Sequence, residues 1–300
     1  MSLSSQTATT VRRVARASGV GRLAARAVRL LPKRRFASFR VARPALAGRV
    51  GLEIGGPSAL FARGDAFPAY AVAERIDNTN FSAATIWEGP IASGRTFQFN
   101  PSREPGHQYL LDATALTGIA DESYDFVLSS HALEHVANPL RALAEWRRVL
   151  RPNGLLVVVL PHRDATFDRR RPVTTVQHLR DDFTAGVQED DLTHLPEVLA
   201  LHDLVLDPGA KGPEQFAQRC RDNAAVRGMH HHTFTTETAA AVLDEAGFQL
   251  VALEAARPHH IVLLARRPGP GWERANAPFL APAAPWRARS PFPSDRAPAT

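Results

Sequence analysis

Residues 139–160 read PLRALAEWRRVLRPNGLLVVVL, and this stretch decides the fold. Leu140, Leu143, Trp146 and Leu150 recur at helical spacing, and Pro152-Asn153-Gly154 stops that helix. Leu155 to Leu160 is then an unbroken apolar run, as expected of a central parallel strand buried on both faces. Working upstream, Tyr124–Ser129 reads as a strand, Tyr109–Leu111 as another and Tyr70–Ile76 as another. The first strand, Arg49–Ile54, runs into Gly55-Gly56-Pro57-Ser58. Downstream, Thr235 opens a helix that closes at Ala246-Gly247. Phe248–Leu253 and His260–Ala265 follow as two strands, and the gap between them is too short for a helical crossover. They should pair as an antiparallel hairpin. The pattern predicts an α/β doubly wound, mostly parallel sheet with a terminal antiparallel strand.

Composition places this domain between two tails. The chain has 300 residues and a formal net charge of +6. Residues 1–52 hold twelve Arg/Lys and no acid, so the rest of the chain is net acidic and offers no basic groove for nucleic acid. We read residues 1–48 as a basic leader, disordered or amphipathic. Val11, Val14, Leu23, Val28 and Leu31 recur among its arginines, which leaves peripheral contact with an anionic membrane surface open, and an organellar transit peptide as well. From Pro268 onward a Pro/Ala/Arg-rich stretch reads as a disordered tail, in which Trp272, Phe279, Trp286 and Phe292 could pack locally. A folded domain of residues 49–267 lies between them. No membrane-length apolar run and no secretory signal are visible, and Cys220 is the single cysteine. A cytoplasmic protein is the expectation, with a peripheral position at the inner membrane face as the alternative.

The chemistry gathers at strand ends. Gly55 and Gly56 let the chain turn tightly and bring a ligand close to the backbone. Asp77, twenty-two residues beyond Gly55, is where Rossmann-like sites place the acid that binds a ribose diol. Asp112, with Ala113 beside it, is positioned to accept from an adenine amino group. Together these point to a cofactor with an adenosine.

Asp121 to Val136, DESYDFVLSSHALEHV, resembles the post-adenine region of type-11 class I methyltransferases, and Val149–Leu155 resembles the same family's helix-to-strand turn. The resemblance covers about residues 49–162 and, more loosely, 233–266. It implies a Rossmann-like domain and S-adenosylmethionine, with contacts at Glu53, Gly55, Asp77, Asp112 and Ser129 and with His131 nearby. Glu53 would then face the amino group of the methionine moiety. The first loop departs from the family, reading Glu53-Ile54-Gly55-Gly56-Pro57-Ser58 in place of three spread glycines, and Pro57 removes a donor there. Residues 76–82, 85–89, 169–175 and 230–234 also resemble a bacterial group of methyltransferase-domain proteins whose acceptors are undefined and for which surface-glycan biosynthesis is a loose suggestion. A polar small-molecule or glycan acceptor is the expectation.

The acceptor site should lie on what the minimal fold does not need. Residues 163–229 are far longer than an ordinary connection. Leu192–Leu206 and Pro213–Arg227 have helical character, so a helical cap is expected. His131 and His162 stand just past strand ends, and His162 with Asp164 is a candidate catalytic pair; a base is required only for a hydroxyl or a protonated amine acceptor. Arg169, Arg170 and Arg171 form a candidate clamp for an anionic acceptor, or else a solvated run paired with neighbouring acids. His194, His202, Asp203 and His230–His232 carry metal-ligand chemistry, but no pair shows the His-x-x-x-His spacing, and no metal is expected. Three classes of function follow. They are an active methyltransferase, a non-catalytic S-adenosylmethionine-binding or interaction protein, and a nicotinamide dehydrogenase. The last is disfavoured by the missing Gly-x-Gly-x-x-Gly and by the terminal hairpin.

Overall fold

Asn138 begins the deciding helix, its side chain accepting from the Arg141 amide at 3.1 Å, with Pro139 at the first helical position. That helix, Pro139–Val149, buries Leu140, Leu143, Trp146 and Val149. The chain then enters the strand Leu150–Pro161, which is buried throughout Leu155–Pro161. The computed structural model describes residues 34–296. Its strands are β1 (Val50–Ile54), β2 (Arg75–Asn80), β3 (Ala84–Thr85), β4 (Gly89–Pro90), β5 (Gly94–Phe97), β6 (Gly106–Leu110), β7 (Tyr124–Ser130), β8 (Leu150–Pro161), β9 (Gln249–Ala256) and β10 (His260–Arg266). Eight of them form one sheet in the order β5-β6-β2-β1-β7-β8-β10-β9, while β3 and β4 make a separate ribbon. The pairs β6–β2, β2–β1, β1–β7 and β7–β8 are parallel. β10 lies antiparallel between β8 and β9, as the short gap requires, and β5 adds an antiparallel edge next to β6. This is the mostly parallel, doubly wound sheet expected, with one apolar core on each face.

Three expectations are corrected here. The second strand is not Tyr70–Ile76. Ala69–Ala71 is a 3-10 turn, and the strand is Arg75–Asn80, four of whose buried residues are Asp77, Asn78, Thr79 and Asn80. The apolar run marks a turn packed under the sheet, whereas the strand's polar side chains are buried because each has a partner. Second, residues 34–48 belong to the fold and not to the leader. They carry α1 (Ala37–Leu46), which buries Phe39, Ala42 and Leu46, leaves Arg40 and Arg43 exposed, and donates from the Ala37 and Ser38 amides to Glu254 at 3.0 and 2.7 Å. The rest of the leader, with its membrane-contact reading, lies outside the described residues. Third, residues 268–296 are ordered. Trp286, Phe292 and Asp295 are buried, and Asn276 accepts from the Leu250 amide at the edge of β9. Among the described residues no helix is long and apolar enough to cross a membrane.

The deciding helix is α2, and the region after β8 carries α3 (Val176–Ala185), α4 (Leu195–Leu201), α5 (Pro213–Arg221) and α6 (Asn223–Val226). These helices stand where the cap was expected, and α3 was missed. The last long helix is α7 (Thr236–Glu245), with Thr235 accepting from the Thr238 amide at its start.

Candidate functional site

A cavity of about 660 Å³ opens at the C-terminal ends of the parallel strands. From β1 it takes Ile54, Gly55 and Pro57; from the end of β2, Thr79, Asn80 and Phe81; after β6, Leu111 and Ala113; and after β7, Ser130 and His131. Thr166, Phe167, Leu206 and Arg227 of the inserted region line it as well, with His230 just after that region. The cap therefore covers the place where an open α/β sheet binds its ligand.

The first loop is braced from below. Gly55 has φ +77°, and a Cβ on Gly56 would stand 2.3 Å from the Glu53 carboxyl carbon, so both positions require glycine. Glu53 is fully buried beneath the loop, not in the cavity. It accepts from the Ser58 amide at 3.0 Å and from the Tyr70 hydroxyl at 2.5 Å, and burial pushes its pKa up to about 7. Asn78 accepts from the Gly56 amide at 2.9 Å and donates to the Gly56 carbonyl at 3.0 Å. Asn80 donates to the same carbonyl at 3.2 Å, and Gln108 ties Asn78 to Asn80. The Gly55 amide is taken by the Thr79 carbonyl. Between Gly55 and Ser58 every amide is thus engaged within the protein, and Pro57 has none.

The expected contacts divide accordingly. Gly55, Pro57, Ala113 and His131 line the cavity; Glu53, Gly56, Asp77, Asp112 and Ser129 do not. Asp77 lies in the middle of β2, where it accepts from the His107 amide and the Tyr124 hydroxyl, so the strand end belongs to Asn80. Ser129 points into the core, its hydroxyl without a partner; Ser130, on the opposite face as strand geometry demands, lines the cavity. Asp112 is bonded to Thr114 and to Arg227, whose guanidinium lies 4.9 Å from the centre of the Phe81 ring. His162 and Asp164, the expected catalytic pair, lie outside the cavity. His162 is buried against Phe292 and donates to Asp295 at 3.1 Å, while Asp164 accepts from the Ser294 amide, so both tether the C-terminal segment. Arg169 and Arg170 reach Asp203 at 2.6 and 3.4 Å. Arg171 is buried against Asp168, Glu197 and the His230 and His231 carbonyls, and none of the three lines the cavity.

Polar groups that the sequence did not single out complete the wall. Asp65, Glu88 and Glu134 are its carboxylates. His131, held at φ +53° just past β7, sets Nδ1 3.5 Å from Glu134 and Nε2 3.1 Å from His260 Nδ1. Both oxygens of Glu134 are buried without a hydrogen-bond partner. Burial opposes its charge, but His131, His135 and His230 outweigh that and hold its pKa below the ordinary value. Burial lowers His135 and His259 to about 4, while Asp168, 2.5 Å from His230 Nδ1, overcomes burial there and raises the imidazole's pKa.

This set fits S-adenosylmethionine. A cationic cofactor meets three carboxylates, and Phe81, Leu111, Ala113 and Val136 give an apolar slot for a base. Neither Asp77 nor a loop amide takes part, so Asn80 and the wall carboxylates are the groups available to the ribose and the amino group.

Residues 64–158 match a family model described as a methyltransferase domain. A stretch of 47 residues is 49% identical to an uncharacterized 37.1 kDa protein in transposon TN4556 of Streptomyces fradiae; the match covers 16% of this chain and 14% of that relative's length. Among solved structures, an S-adenosylmethionine-dependent methyltransferase from Mesorhizobium loti is 18% identical over 77% of this chain and 96% of that one, with a TM-score of 0.46. The 1,6-didemethyltoxoflavin-N1-methyltransferase of Burkholderia thailandensis, with 1,6-didemethyltoxoflavin and S-adenosylhomocysteine bound, is 16% identical over 90% of this chain and 93% of that one, with a TM-score of 0.42.

Proposed function

We propose that this chain, which carries a class I S-adenosylmethionine-dependent methyltransferase domain, transfers a methyl group to a polar small-molecule or glycan acceptor held beneath its cap. The observation that carries the reading is the cavity lined both by strand ends and by Thr166, Phe167 and Leu206 of the cap. Trp87 and Phe167 offer flat apolar faces, and Thr166, His230 and His259 offer hydrogen bonds, a combination suited to a hydroxyl-rich ring.

S-adenosylmethionine, when bound, supplies the electrophilic methyl group. The protein's own work is to hold the acceptor in line and to take its proton. His131 is the group placed for the second task. Its ring lines the cavity, with Nε2 paired to His260 Nδ1, a contact the acceptor would displace, and the Glu134 carboxylate behind Nδ1 would stabilise the imidazolium that forms. The protein would thus act on a hydroxyl or a protonated amine.

A second reading, a protein that binds the cofactor without turnover, is favoured by one observation: the loop 55–58 has no amide left for the cofactor. Both readings are tested by following S-adenosylhomocysteine formation with panels of polyhydroxylated small molecules and oligosaccharides. Turnover that falls in His131→Gln supports the enzyme. Cofactor binding with no turnover across the panel supports the second reading.

A further inference from the structure

Three groups of His and carboxylate side chains converge in the described residues: His131, His259 and His260; Glu134, His135 and His230; and His178, Asp182, His194 and His232. The third differs from the other two in offering four ligand atoms, each within 4.8 Å of the rest. His178 and Asp182 are one turn apart on α3, His194 stands at the start of α4, and His232 comes from the extended segment before α7. His178 Nε2 lies 3.0 Å from His194 Nε2 and 3.2 Å from Asp182 Oδ2. His232 Nε2 donates to the Ala137 carbonyl at 3.2 Å, which leaves Nδ1 as its nitrogen for an ion. Ligands bonded at about 2.0–2.1 Å around a tetrahedral ion stand roughly 3.3 Å from one another, so these separations are edges of such a tetrahedron.

Protons alone do not satisfy the set. His178 Nε2 carries at most one hydrogen, which cannot serve both a ring nitrogen and a carboxylate. Asp182 Oδ2 is buried and has no hydrogen-bond partner, and neither does Nδ1 of His232, a residue with 0% of its side chain exposed. A buried carboxylate oxygen and a buried ring nitrogen left in this way are costly, and one cation satisfies all four groups at once.

We propose that His178, Asp182, His194 and His232 form a structural zinc-type site that fastens the cap to the methyltransferase fold. Three imidazoles and one carboxylate are the donor set of a four-coordinate borderline ion, with no position left open for a substrate. The ion joins α3 and α4 of the cap to the His230–Thr233 segment. The Asp182 carbonyl also accepts from Asn138, the residue that starts α2, so the clamp reaches the core. The inference goes beyond the methyl-transfer reading and does not depend on it.

The test uses the full chain, stripped with a chelator and titrated with Co²⁺, then with Zn²⁺. The proposal expects the intense visible bands of four-coordinate Co²⁺, their displacement by Zn²⁺, and a higher melting temperature with either ion. His178→Ala, at the most exposed of the four positions, and His194→Ala should each weaken Zn²⁺ binding by more than the roughly 10–100-fold that an outer-shell change costs. Glu134→Gln and His259→Ala, in the other two groups, should leave the Co²⁺ bands unchanged. Circular dichroism and a cooperative melting transition report that each variant has folded. Absence of four-coordinate bands in the wild type overturns the proposal. So does undiminished Zn²⁺ affinity in both folded His178→Ala and His194→Ala, or loss of the bands in Glu134→Gln with retention in His194→Ala.

Discussion

His131 sits in a left-handed backbone conformation that few non-glycine residues adopt, between a buried carboxylate and a second imidazole. If it takes the acceptor's proton, His131→Gln should lower kcat by about 10²–10⁴-fold and leave S-adenosylhomocysteine affinity within a few-fold. His162→Ala should do the reverse, keeping kcat while losing about 1–3 kcal/mol of stability, because Asp295 is left without its imidazole partner. Equal kinetic defects in the two variants would remove the distinction drawn here. Glu53 makes a prediction of its own. Burial raises its pKa from 4.5 to about 7, so the folded state binds this proton more tightly than the unfolded state does. Its contribution to stability is full below about pH 4.5 and is lost as pH rises to about 7, roughly 3 kcal/mol in all. Denaturation across that window should show a shallower decline in Glu53→Gln than in wild type; parallel curves would contradict the buried assignment. The sequence marked Gly55, Pro57, Ala113 and His131, all of which line the cavity, because strand ends are legible. It placed Asp77 at the cavity because the second strand was set too early, and it chose Ser129 over Ser130 because a one-residue error flips a strand side chain to the other face.

Elements were legible where burial follows hydrophobic period. The helix from Pro139 and the terminal hairpin stand close to where they were read, but the strand begins at Leu150, so Pro152-Asn153-Gly154 lies inside β8 and does not precede it. The second strand did not follow that rule, since its buried side chains are amides and acids satisfied by one another, a pattern no apolar count detects. The C-terminal segment hid for a related reason. Its composition is Pro/Ala/Arg-rich, but Trp286 and Phe292 are buried, and Asp295 joins His162, Thr236 and Ser290 in one network. A chain ending at Ala284 should therefore melt roughly 10 °C or more below the full chain, from the lost aromatic burial and the broken network. An unchanged melting temperature would show that this segment does not pack on the domain in solution.

At the scale of the molecule, the sheet order places every strand end that the cavity uses side by side, and the inserted region closes over them. This much follows from chain order, since parallel strands joined by right-handed crossovers must present their C-terminal ends together. What chain order could not give was the convergence of histidines from residues 131, 135, 230, 259 and 260 around one cavity, because such groups assemble only after folding. The central claim is that this cavity takes S-adenosylmethionine. The measurement that tests it most directly is a calorimetric titration of the full chain with S-adenosylhomocysteine and, under the same conditions, with NAD. The account predicts saturable binding of S-adenosylhomocysteine and no heat from NAD; binding of NAD with none of S-adenosylhomocysteine would contradict it.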